Sequence, residues 1–93
     1  MPSLKVAHVR QQGVDMVIVP LDATFDQKTP AQRQAAVAEI QSVSLRAGLR
    51  GTVVPMWPSG GRTKFIAPNP WRPFFSRLPL HRVMASLNRT LEW

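Results

Sequence analysis

A chain of 93 residues with a net charge of +7 and no cysteine is one basic domain. It has no disulfide framework, no thiolate metal site and no thiol chemistry. The charge is uneven. Residues 1–45 set four cations against four acids, whereas residues 46–93 set Arg46, Arg50, Arg62, Lys64, Arg72, Arg77, Arg82 and Arg89 against Glu92 alone. All the excess therefore lies in the second half, which points to a polyanionic partner such as nucleic acid, an anionic membrane surface or an acidic protein.

In chain order, Met1 to Val6 lacks the basic patch and apolar run of a secretory leader. The longest apolar run, Met16 to Leu21, is far short of a membrane span. With the absence of cysteine, this gives the expectation of a cytoplasmic protein. Leu4 to Arg10 alternates as a strand, Gln12-Gly13 makes a turn, and Val14 to Leu21 forms a second strand with apolar residues on both sides. Asp22 to Lys28 is a polar loop around Phe25. Thr29 is a helix N-cap, Pro30 suits the first helical position and Gln32 completes a capping box. The helix runs to about Ala47 on a stripe of Ala36, Val37, Ile40, Val43 and Ala47, and Gly48 ends it.

Gly51 to Pro68 reads as a second hairpin around Gly60-Gly61. Pro68, Pro70 and Pro73 make residues 69–75 irregular, with Trp71, Phe74 and Phe75 pinning the loop to the core edge. A second helix starts at Pro79 with the stripe Leu80, Val83, Met84, Leu87 and Leu91, and carries Arg82 and Arg89 away from it.

The expected fold is α+β in the order ββαββα. A four-stranded, mainly antiparallel sheet carries two helices on one face. A shift of 48 residues lays Val6 on Val54, Gly13 on Gly61, Ile18 on Ile66 and Pro20 on Pro68. This suggests a duplicated ββα unit with halves 1–48 and 49–93. Convergent use of glycine at hairpin turns accounts for the same matches.

Alternation assigns faces to the hairpins. Leu4, Val6, His8, Val17, Val19 and Leu21, with Val54, Met56, Phe65 and Ala67, should meet the helices. Lys5, Ala7, Val9, Val14, Met16 and Ile18, with Trp57, Arg62, Lys64 and Ile66, should form a bare outer face. A bare face with that much apolar area is expected to be used. Val9, Val14, Met16 and Ile18 are the candidate homodimer contact. Trp57 is the candidate base-stacking residue, and Lys5, Arg50, Arg62, Lys64, Arg72, Arg82 and Arg89 are the candidate nucleic-acid-binding cations. Ordinary cross-strand packing of Trp57 beside Lys64 is an equally good account of that pair.

Catalytic constellations are sparse. His8 and His81 have no partner at metal-ligand spacing. Asp22 and Asp26 are commoner as turn and capping residues than as magnesium ligands. Ser59-Gly60-Gly61-Arg62 lacks the spacing of a nucleotide loop. No enzyme, cofactor or metal is expected. The reading is a small basic non-enzymatic protein, homodimeric, that contacts nucleic acid through its second half. The alternative is an adaptor for an acidic protein.

Overall fold

The computed structural model describes residues 3–92. Met1 and Pro2, which open the stretch tested above for a leader, and Trp93 lie outside the described residues. The strands are β1 (Ser3–Gln11), β2 (Val14–Pro20), β3 (Thr52–Ser59), β4 (Arg62–Phe65) and β5 (Arg89–Glu92). The helices are α1 (Pro30–Arg46), α2 (Arg72–Ser76) and α3 (Leu80–Ala85), with 3₁₀ turns at Ala23–Gln27 and Asn69–Trp71.

Local chemistry sets the turns and caps. Gln12 and Gly13 have φ of 51° and 78°, and Gly60 and Gly61 have φ of 56° and 81°. Both hairpins thus close on two left-handed residues, between Gln11 and Val14 and between Ser59 and Arg62. The Thr29 side chain accepts from the Gln32 amide at 3.2 Å, and the Gln32 side chain accepts from the Thr29 amide at 2.9 Å. This is the capping box expected from the sequence, with Pro30 at the first helical position. On the stripe of α1, Ile40 and Val43 are buried and Val37 packs against them, while Ala47 is exposed.

The sheet is five-stranded and mixed, in the order β4-β3-β2-β1-β5. β2 and β3, joined by α1, are parallel, and the other three pairings are antiparallel. The α+β class stands, but three features differ from expectation. The first is the phase between hairpins. Ile18 lies beside Val54 across the parallel pair, so Val54 and Met56 share a face with Ala7, Met16 and Ile18. Sequence alternation fixes faces within each hairpin but not between them, and a one-residue slip exchanges every side chain.

The second difference follows from the first. In the true phase both faces are apolar, and each needs a cover. Val6, Val17, Val19, Val53 and Leu91 pack under Ile40 and Val43 of α1. Ala7, Met16, Ile18, Val54 and Met56 pack under Phe75 of α2 and Val83 of α3. The sheet is therefore the middle of three layers, and the helices do not share one face. The expected bare dimer face does not exist. Met16 and Ile18 are core residues, Val9 packs against that core, and only Val14 keeps a large exposure, 41%.

The third difference is β5. The last helix stops at Ala85, and Arg89–Glu92 pairs with Ser3–Val6 of β1. Val83 and Leu91, assigned above to one helical stripe, thus enter cores on opposite sides of the sheet. The two halves share their hairpin turns, but α1 and the α2–α3 pair lie on opposite faces, so their likeness is confined to the hairpins.

The interior strand β3 contains two prolines, and each position is explained by the ladder. Pro58 faces Thr63 at a non-hydrogen-bonded position and lies beyond the end of β2. Pro55 accepts from the Ile66 amide at 3.2 Å but has no N–H to return, so regular pairing with β4 ends at Phe65. The beginning of β3 is left without a neighbour on that side. Gln41 of α1 fills the gap. Its Oε1 accepts from the Val53 amide at 2.8 Å, and its Nε2 donates to the Gly51 carbonyl at 2.9 Å. Asn88 does the same where β5 falls short of β1. Its Oδ1 accepts from the His8 amide at 2.9 Å and its Nδ2 donates to the His8 carbonyl at 3.0 Å. Two carboxamides thus stand in for missing peptide groups along the sheet.

Candidate nucleic-acid interface

The arrangement begins at Asp26, in the 3₁₀ turn after β2. Its carboxylate accepts from Trp57 Nε1 at 3.1 Å, Ser59 Oγ at 2.8 Å and Lys64 Nζ at 3.3 Å. The Arg33 guanidinium lies 3.7 Å from the carboxylate and donates to the Asp26 carbonyl at 2.6 Å. The Ser59 and Trp57 hydrogen bonds, then Lys64, hold the Asp26 carboxyl below its ordinary value, against the opposing effect of desolvation.

Trp57 is only 3% exposed. Phe25 meets its ring edge-on at 4.7 Å between centroids, and the Arg33 guanidinium lies 5.6 Å from the ring centroid. Trp57 therefore has no free face for a base. It anchors the turn after β2 to the second hairpin, which corrects its assignment as a stacking residue. Asp22 caps the same turn, its Oδ1 accepting from the Thr24 amide at 3.1 Å and from the Thr24 hydroxyl. Both loop aspartates are engaged in structure. Among the described residues no three His, Asp or Glu side chains are grouped to hold a metal ion.

The folded-state pKa of Asp26 lies below its unfolded value of about 4, so the ionised form is the one that stabilises the fold. That stabilisation is complete above about pH 4 and is lost as pH falls through the lowered native value. Asp26→Asn should melt below the wild type at pH 6. The gap between the two melting temperatures should narrow as pH drops from 4 towards 2. A gap independent of pH would show that the charge of Asp26 contributes nothing.

The sequence-assigned cations divide into groups. Arg62, Lys64 and Arg72 come together around β4. Lys64 is 54% exposed, and Arg72 holds its guanidinium 6.0 Å from the Phe65 ring centroid. Arg82 is exposed on α3 and shares a groove of about 360 Å³ with Arg77, Pro73, Phe74 and Leu78. Lys5 and Arg89 are both exposed at the β1–β5 edge, but the register puts them on opposite faces. Arg50 is exposed in the loop before β3, where its carbonyl accepts from His8 Nε2 at 2.9 Å. These last three are not gathered with the others.

Two residues escaped the sequence reading. The sequence shows Arg77 as a cation but assigns it no face, because the proline-rich stretch before it hides the short helix that presents it. Arg33 belongs to the balanced half, and only the tertiary fold brings it to Trp57. Phe74 was expected to pin the loop. It does so through edge-on contacts with Trp71 at 5.8 Å and Phe75 at 5.1 Å, while its half-buried ring still lines the groove.

The charge excess of the second half is thus divided: Arg72, Arg77 and Arg82 belong to the α2–α3 layer, whereas Arg62, Lys64 and Arg89 project from the sheet on the α1 side. No Asp or Glu occurs between Ile40 and Leu91. The α2–α3 layer and the β4 edge are built wholly from that stretch, and their exposed arginines have no acid from their own elements beside them. Compared with family models, curated proteins and solved structures, the chain matches none. Function is therefore read from its own residues.

Proposed function

We propose that the protein is a small non-enzymatic nucleic-acid-binding module that uses its α2–α3 layer. One observation carries this reading: Arg77 and Arg82 line one groove together with Phe74 and Leu78, in a stretch of chain without a single acid. Two guanidiniums sharing a groove with an aromatic ring suit a phosphate backbone and a stacked base. Arg72, at the start of α2, extends the cationic surface towards β4. The contacts are to backbone and stacked bases, so the binding is expected to be tolerant of sequence. Among the described residues no helix is long and apolar enough to cross a membrane.

Titration of a labelled single-stranded 20-mer of mixed sequence across salt tests this. Binding should weaken linearly in log–log form as salt rises, because each neutralised phosphate releases a counterion. The double variant Arg77→Ala, Arg82→Ala should lower the magnitude of that slope by about 1.4, from about 0.7 for each single-strand phosphate contact. Its fold should be intact, since both side chains are exposed. Binding that is absent at low salt, or indifferent to salt, contradicts the reading.

A further inference from the structure

Beside the α2–α3 layer, we propose that the outer edge of β4 is a second binding site, sharing Arg72 with the first, which takes an extended acidic peptide as an added strand. The register of the second hairpin sets the direction of every main-chain group in β4. Ser59 and Arg62 close the two-residue turn, and Ile66 donates inward to Pro55. Alternation between these points directs the N–H and C=O of Thr63 and Phe65 away from β3, towards the open edge.

Two other places where an inner strand outruns its neighbour are closed. Gln41 covers the start of β3, and Asn88 covers β1 at His8. The β4 edge is instead lined by a groove. The four consecutive residues Thr63, Lys64, Phe65 and Ile66 border a hollow of about 400 Å³, with Arg33 on the α1 side and Arg72 on the other.

The charge along that edge selects the occupant. Arg62 and Lys64 alternate along β4 and project to the same face. A second copy of β4 paired across this edge would set these cations against their own counterparts, which disfavours self-association here. A strand carrying acids at alternate positions would place them beside Arg62 and Lys64 while its main chain bonds to Thr63 and Phe65. The Phe65 ring and the Arg72 guanidinium stacked on it form the opposite wall. An extended acidic segment of another protein fits this edge.

The test uses fluorescence polarisation with an acetylated, fluorescein-labelled hexapeptide of alternating Glu and Thr, on the full chain. Saturable binding is expected, and the same peptide with Lys in place of Glu should not bind. Two further probes are N-methylated either at every Glu or at every Thr. In an added strand only alternate amides face β4, so one probe should lose at least tenfold in affinity and the other much less. Thr63→Pro removes an edge-facing donor without touching the β3 ladder, and should weaken the peptide at least tenfold with an unchanged circular dichroism spectrum. Lys64→Ala should weaken it whether or not Thr63→Pro folds. The Arg77→Ala, Arg82→Ala variant should bind the peptide as the wild type does, so this site and the nucleic-acid site fail independently. Equal affinity of the two N-methylated probes, peptide loss in the Arg77/Arg82 variant, or no saturable binding up to millimolar peptide would overturn the proposal.

Discussion

Gly51→Ala should be among the most damaging single substitutions in the protein, lowering stability by about 3–5 kcal/mol. Gly51 has φ of +114° where the chain enters β3. A Cβ there would sit 2.3 Å from the Asp15 carbonyl oxygen, 2.4 Å from its carbon and 2.8 Å from the Met16 nitrogen. All three are main-chain atoms of β2, so no side-chain rotation relieves the contact. Relief requires β3 to move off β2 at Thr52 and Met16, where the parallel pair begins. In a domain stabilised by about 5–15 kcal/mol, such a loss is a large part of the whole. Gly61→Ala is the control. Its φ is +81°, but nothing lies within 4 Å of an added Cβ, so only the left-handed backbone opposes it, at about 1–2 kcal/mol. Urea unfolding of the two variants should separate them by about 1–4 kcal/mol, with Gly51→Ala the less stable. Equal stabilities would mean that β3 does not approach β2 as described.

Gln41→Ala should cost about 2–4 kcal/mol, well above a typical helix-surface change. The carboxamide is the partner of both the Val53 amide and the Gly51 carbonyl. Val53 is 3% exposed, so its orphaned N–H gains little from water. Gln41→Glu separates hydrogen bonding from size. The carboxylate still accepts from Val53 but turns an oxygen towards the Gly51 carbonyl, so it should recover only part of the loss. Thermal melts of Gln41→Ala, Gln41→Glu and the wild type should rank in that ascending order. Wild-type stability of Gln41→Ala would show that the start of β3 needs no partner on its open side.

Much of the local structure was legible in the sequence because it depends on neighbours in the chain. Thr29, Pro30 and Gln32 cap α1 as residues three apart must, and the paired turn residues set both hairpin registers. What escaped depended on distant partners. The relative phase of the hairpins is fixed by the parallel meeting of β2 and β3, which no local pattern encodes. The apolar residues of β2 on both sides did signal a strand covered on both faces. That signal was at odds with the expected placement of both helices on one face, and it was the better guide. β5 was hidden because Leu80, Val83, Leu87 and Leu91 also fit a helical spacing. Asn88 and the unpaired edge of β1 break the helix before Leu91.

The site followed the same division. The excess of charge in the second half was visible at once, but its location was not. Hairpin pairing puts Trp57 on one face with Arg62 and Lys64, yet Phe25, Asp26 and Arg33 from the first half close around it. Of the two arginines that line the groove with Phe74, Arg82 is legible on the second helix, but Arg77 follows a segment where Pro68, Pro70 and Pro73 obscure the periodicity.

The division of labour across the sheet follows from these placements. The α1 side carries the Asp26 anchor, which ties the turn after β2 to the second hairpin. The α2–α3 layer carries Arg72, Arg77 and Arg82 and no acid, so a polyanion approaching that side meets positive charge. Backbone amide shifts of isotopically labelled protein during titration with the single-stranded 20-mer test this most directly. The largest shifts should fall on Arg72 to Ser86, with α1 unmoved. Shifts centred on α1 or on the β1–β5 edge, or no shifts at low salt, would contradict it.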